Sequence, residues 1–401
     1  MKKIVLSLFV VSALFQSCSS DDDGGSNPNN INTPATYEFT RNDNSTVSFS
    51  GQTTRIQMAE EFITALKDDS SSKAQLDAMF AHVEGTDDFS DAALNESNKN
   101  IRSKVAASTD YFSANTTTAN LIKADFDGFI ASQVSEVFPN WDNVATAGNA
   151  GQLQQAGGGS IRYINAKGLE YNQAFAKGLI GALMLDQILN NYLSPAVLDA
   201  GSNKENNDSG VVEDGKDYTT MEHKWDEAYG YLYGNEVNPA EPVLGADQFL
   251  SEYLERVDGD EDFSGLAGNI YNAFKLGRAA IVAKNYSVRD AQAEIIKENL
   301  SLVPAVRGVF YLQAAKGNLE TDKASAFHAL SEAYGFIYSL QFTRMPNSDA
   351  PYMTKTEVDA ILGQLMEGNG FWDLSENTID SVSDAIASKF GFTTVEAAPA
   401  I

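Results

Sequence analysis

One cysteine in 401 residues leaves the chain unable to form an intrachain disulfide or a thiolate metal cluster. Histidine is nearly as scarce, with only His82, His223 and His328. Basic residues number 28 against 55 acidic ones, and the formal charge of -27 argues against nucleic acid as a partner. A polyanion would be repelled and would gain nothing from counterion release. The acidity leads instead to an expectation of cationic ligands or metal ions, beside the plainer reading of a self-repelling soluble surface. Catalytic signatures are missing as well. There is no Gly-x-Ser-x-Gly elbow and no His-Glu-x-x-His helix, and Gly157-Gly158-Gly159 has no Gly-Lys-Ser/Thr behind it to make a phosphate-binding loop. The apolar run at residues 4–15 is too short for an ordinary transmembrane helix.

That run does have a reading of its own. Lys2 and Lys3 precede it and small Ser17 follows, as in an export signal. The stretch Leu14-Phe15-Gln16-Ser17-Cys18 resembles a bacterial lipobox, which implies a signal peptide at 1–17 and lipidation of Cys18. Residues 18–36, rich in Ser, Asp, Gly and Asn, then read as a flexible tether. The expected location is the outer membrane of a Gram-negative bacterium, on its periplasmic or surface-exposed face. The membrane is the expected partner, reached through acyl chains whose buried methylenes supply the affinity.

Beyond the tether, Tyr37/Phe39 and Val47/Phe49 alternate around the polar turn 41–44, a pattern for a small β-hairpin. From Thr53 onward the apolar spacing is helical. Helices are predicted from Thr53 and over 71–82, 95–113, 117–138, 161–194, 219–234, 245–256, 264–284, 288–316, 321–343, 354–366 and 378–389. Residues 148–160 and the acidic stretch 199–218 read as loops. A twelve-residue signature occurs twice, from His223 and from His328, with six identical positions. Each copy follows a long apolar helix and precedes a proline-marked connection. The expected fold is all-α, two related antiparallel helical bundles produced by internal duplication, with the N-terminal hairpin. The expected bundles span 37–257 and 258–401.

Chemistry concentrates on the repeated stripe. A histidine and a carboxylate at i and i+4 can meet on one metal ion from a single helical turn. His223, Asp226 and Glu227 are therefore candidate metal ligands, with His328 and Glu332 as the weaker set and iron or zinc as the metals suited to imidazole and carboxylate. Glu222 and Glu170 could add oxygens to the first set, Ser331 and Asp322 to the second. The same stripe also serves a purely structural reading, in which each histidine is hydrogen-bonded inside a bundle and Gly230 and Gly335 let helices approach. Trp225 and Tyr229 are candidate ligand-binding aromatics, and core packing is their alternative. His82 reads as a surface or loop residue.

Several segments carry a resemblance. The His-carboxylate turn on an internal helix of an acidic helical chain resembles the imelysin-like proteins. Ser45-Thr-Val-Ser-Phe-Ser-Gly-Gln-Thr, Gly168-Leu-Glu-Tyr-Asn-Gln-Ala-Phe, Met221-Glu-His-Lys-Trp-Asp-Glu-Ala-Tyr-Gly and Phe371-Trp-Asp look more narrowly like an uncharacterised bacterial lipoprotein family, the DUF4856 type. The resemblance implies a helical bundle in the cell envelope. Met221 stands where imelysins have glycine and Asp226 where they have glutamate, so the peptidase activity proposed for imelysins transfers poorly. The expected function is a non-enzymatic binding or interaction module, taking a metal ion, a metal complex or an envelope partner. A metal-dependent peptidase and a glycan- or nutrient-capture accessory protein are its alternatives.

Overall fold

The structure, a computed structural model, describes residues 31–399. The signal peptide, Cys18 and most of the tether lie outside the described residues. The expected hairpin is present: β1 (Thr40–Arg41) pairs antiparallel with β2 (Asn44–Ser45). Its turn residues Asn42 and Asp43 take left-handed backbone angles, φ 53° and 67°, which their short polar side chains tolerate. Helix α1 (Ser50–Ala65) follows, then α2 (Lys73–Phe80), closed at its start by a Ser72/Gln75 capping box. The predicted helix at 95–113 does not form. That segment holds the end of the one-turn α3 (Ala92–Asn95) and a 3-10 turn at Arg102–Lys104. Its Asn and Ser side chains compete for the backbone, and buried Asp186 accepts the amide hydrogens of Ala107 and Ser108.

Helix α4 (Thr116–Ser132) leads to a second hairpin, β3 (Gly151–Gln154) with β4 (Ile161–Ile164). This corrects both the loop expected at 148–160 and the helix expected from 161. The hairpin turn passes through Gly157 and Gly158, at φ 71° and 80°, so the glycine run serves a strand reversal. Helix α5 (Tyr171–Leu179) continues through two π-helical stretches, Ile180–Leu185 and Ile188–Tyr192, and nearly all of this run is buried. The acidic stretch is also more structured than expected. After α6 (Pro195–Leu198) it contains α7 (Asn203–Ser209), ended by left-handed Gly210.

The remaining helices agree with the periodicity, except the short one at Thr394–Ala397, which the spacing does not predict. They are α8 (Thr220–Tyr233), α9 (Leu250–Asp258), α10 (Leu266–Val282), α11 (Tyr286–Lys316), α12 (Lys323–Ser339), α13 (Lys355–Leu365), α14 (Glu376–Phe390) and the short α15 (Thr394–Ala397). The architecture is all-α apart from the two hairpins. The 31 residues of α11, about 46 Å at 1.5 Å per residue, form the spine against which α10, α12 and α14 pack. The described residues form one compact unit. The boundary expected at 257/258 separates no two bodies, because α5 lies along α12 and α8 packs on α10 across it.

Candidate functional site

Both signature copies lie on helices, α8 and α12, and their surroundings decide what each side chain can do. Thr219 caps α8 through a box with Glu222, which fixes the start of the helix four residues before His223. On the next turn Gly230 sits against Phe49, where an added Cβ would come within 2.3 Å of the Phe49 side chain. The glycine is thus a crossing point between α8 and the entrance to α1. Gly335 of α12 does the same against α5, with Lys177 Cβ 2.5 Å from the position a Cβ would take.

Asp226 belongs to a buried charge network. Its Oδ1 accepts from Arg278 Nε at 3.0 Å and from the Tyr37 hydroxyl at 2.8 Å, and its Oδ2 accepts from the Ser48 amide at 3.3 Å. Arg278 also reaches Glu222 at 3.2 Å, and Arg41 binds the two Glu222 oxygens at 2.9 and 3.0 Å. Burial pushes the Asp226 carboxyl up to about 6, against the pull of Arg278 and the Tyr37 hydroxyl, so it stays ionised at neutral pH. These contacts fasten the N-terminal hairpin to α8 and α10. They also occupy Asp226 and Glu222, which makes both poor ligands for a metal.

Trp225 and Tyr229 are core, which corrects their assignment as ligand-binding aromatics. Both are 0% exposed. Trp225 donates its indole hydrogen to the Phe274 carbonyl at 3.0 Å and fills the space left by Gly277, while Tyr229 stacks on Tyr37 at 3.6 Å between ring centres. Glu170, counted with the first copy in the sequence, pairs with the second: its Oε1 lies 2.9 Å from His328 Nδ1. Glu332 Oε2 stands 3.7 Å from His328 Nε2, and Glu332 also accepts from the Tyr253 hydroxyl and neighbours Lys177. His82 is buried rather than on the surface, held between Asp88 at 2.7 Å and the Asn95 carbonyl at 3.2 Å. Among the described residues no group of three or more His, Cys, Asp or Glu side chains is placed to hold a metal ion.

His223 faces a different environment. Its Nδ1 lies 3.0 Å from the Ser48 carbonyl, which can only accept, so Nδ1 carries the hydrogen and Nε2 is left facing away. The ring stacks on Tyr218, 4.6 Å between centres. A polar pocket of about 300 Å³ opens beside it, walled by Arg55, Lys99, Lys104, Lys216 and the first turn of α1, with Glu227 as its one carboxylate. Glu227 is itself engaged by Lys224 at 2.6 Å and Gln52 at 3.1 Å. Four cationic side chains against one carboxylate reverse the ratio of the whole chain. Arg55 is only 7% exposed; it donates to the Asn100 and Gly51 carbonyls and takes part in no ion pair of the described residues.

The field is consistent with this inventory. Burial, with help from Arg55, Lys224 and Lys99, holds the Lys104 ammonium below its ordinary value. Burial likewise lowers His223, with Glu227 opposing and Lys224 assisting, so the imidazole is neutral at pH 7. The first turn of α1 has no side-chain cap and no acidic residue, and its backbone N–H groups add positive potential at Ser50 and Gly51. The pocket's charge is therefore predominantly positive. No local pattern marks it, since its cations come from three separate segments and only His223 and Glu227 lie on the signature.

The model of a family described as a domain of unknown function, DUF4856, matches residues 34–393. No curated protein and no solved structure matches the chain. With nearly the whole described length matched, this chain belongs to the DUF4856 family.

Proposed function

We propose that the chain is a non-enzymatic binding module of the cell envelope, and that its ligand presents an anionic group, a carboxylate, phosphate or sulfate, to the pocket beside His223. The observation that carries this reading is Arg55, buried at the head of α1 with no ion-pair partner among the described residues and flanked by Lys99, Lys104 and Lys216, while Glu227, the pocket's one carboxylate, is held by Lys224. A buried cation needs a counter-charge, and a ligand supplies it. Chemistry on the bound group is not part of the reading, because the candidate acids beside His223 are tied to Arg278, Arg41 or Lys224. Metal capture and peptidase action would both need a ligand set that the described residues do not assemble.

Thermal unfolding in phosphate, sulfate and citrate, each against chloride at equal ionic strength, tests the reading. At a ligand concentration of about 100 Kd the expected upward shift in Tm is about 2–4 °C for at least one anion. The shift should shrink in Lys104→Gln and in Lys216→Gln, both of which leave the buried core untouched. Equal Tm values in all four salts, or shifts indifferent to both substitutions, would sink the proposal. The envelope location rests on Cys18 and its lipobox-like surroundings. Incorporation of a labelled fatty acid that disappears in Cys18→Ser is the expected result, and labelling that persists in the variant contradicts it.

A further inference from the structure

A second cleft, of about 580 Å³, lies on the other signature helix, between α4, the start of α5, α12 and α13. Its lining differs in kind from that of the cationic pocket. Tyr334 and Tyr338, the aromatic pair of the second signature copy, line it together with Phe129. Phe129 stands 6.4 Å from Tyr334 and 6.5 Å from Tyr338 between ring centres, tilted steeply to each. Unlike Trp225 and Tyr229 in the first copy, Tyr334 keeps an accessible face, and its hydroxyl makes no hydrogen bond with the described residues. The charged groups are two carboxylates with one cation between them. Asp125 accepts from the Tyr338 hydroxyl at 2.9 Å, and Lys355 Nζ lies 4.0 Å from Asp125 and 2.8 Å from Asp359.

Two glycines make an independent case. Gly128 in the body of α4 and Gly363 in the last turn of α13 both line the cleft. A Cβ built on either would meet nothing within 4 Å. Packing therefore does not demand glycine at these positions, and a helical glycine is less stable than alanine there. Every glycine in α5, α8 and α12 is, by contrast, set against a neighbour closely enough to touch a Cβ. What Gly128 and Gly363 do provide is bare helical backbone along the walls of the cleft, where a ligand can approach closely.

We infer that this cleft binds a neutral, hydroxyl-rich ring, a saccharide unit, with its apolar face on Tyr334 and its hydroxyls bonded to Asp125, Asp359 and Lys355. Aromatic rings offer a surface to the C–H face of a sugar, and carboxylates and an ammonium supply acceptors and donors for its hydroxyls. Lys355 already occupies the space between the carboxylates, which disfavours a cationic amine as the occupant. This site is separate from the pocket beside His223 and does not depend on the anion reading.

An array of neutral oligosaccharides, with simple amines as a parallel probe in calorimetry, provides the test. Wild-type protein is expected to retain at least one neutral oligosaccharide. Gly128→Leu should weaken that binding by at least about tenfold while leaving Tm unchanged or raised by about 1–2 °C, because leucine is the better helix former at an open position. Tyr334→Ala should weaken it comparably, whereas Lys104→Gln in the other pocket should leave it intact. Absence of neutral sugar binding, amine binding in its place, or sugar binding unmoved by Gly128→Leu would each overturn the inference.

Discussion

Arg278 and Arg55 show how one residue type takes two roles according to its partners. Arg278 is fully buried and bonded to Asp226, Glu222 and Thr46, so its charge is matched within the fold. Removing one member of such a network leaves charges buried and unmatched. Arg278→Met is therefore expected to cost about 3–5 kcal/mol in urea unfolding and to loosen the N-terminal hairpin, which is held through Tyr37, Arg41 and Ser48. A loss below about 1 kcal/mol would show that the network is dispensable. Asp226 was identifiable in the sequence as a polar residue on the signature face, yet its partner Arg278 is 52 positions away. Nothing in the spacing distinguishes a carboxylate awaiting a metal from one already matched to an arginine.

At the scale of elements, legibility followed period and length. Helices α8 to α14 agree with the apolar spacing within a few residues, because each buries a continuous face and several start at a capping residue such as Thr219 or Thr354. The failures have local causes. Residues 95–113 contain enough buried apolar side chains to look periodic, but Ala106 takes a left-handed φ of 44° and donates its amide hydrogen to the Ala182 carbonyl. Tertiary contacts to α5 and its continuation replaced the helix. The second hairpin was hidden because the four residues Ile161–Ile164 are too few to show a strand alternation and run toward a long helix, so they read as that helix's first turn. The signature itself was legible as helix and as packing: its glycines mark crossings, and its histidine and tyrosine positions diverge in environment between α8 and α12. That divergence was not legible, since it depends on what α1, α4 and α13 bring to each face.

For the whole molecule, net charge was a poor guide to the field at any one place. A chain of -27 was expected to favour cations, yet Arg55, Lys99, Lys104 and Lys216 gather at the head of α1. The acidic surroundings have a consequence for binding. They repel free anions at long range, so capture must rest on contacts inside the pocket and should strengthen as salt screens the outer charge. His223 reports on this directly. It faces Glu227, Lys224 and Glu213, with the Ser48 carbonyl on Nδ1, and burial keeps it neutral at pH 7. A bound anion stabilises the imidazolium, so binding raises the pKa of His223 and, by linkage, tightens as pH falls through the range between its free and bound values. The measurement is nitrogen-15 NMR of the three histidine rings across a pH series with and without inorganic phosphate, His223 being assigned by its loss in His223→Gln. Saturating phosphate is expected to raise the His223 pKa, because a bound anion favours the charged imidazolium. A His223 titration that is the same with and without saturating phosphate would contradict it.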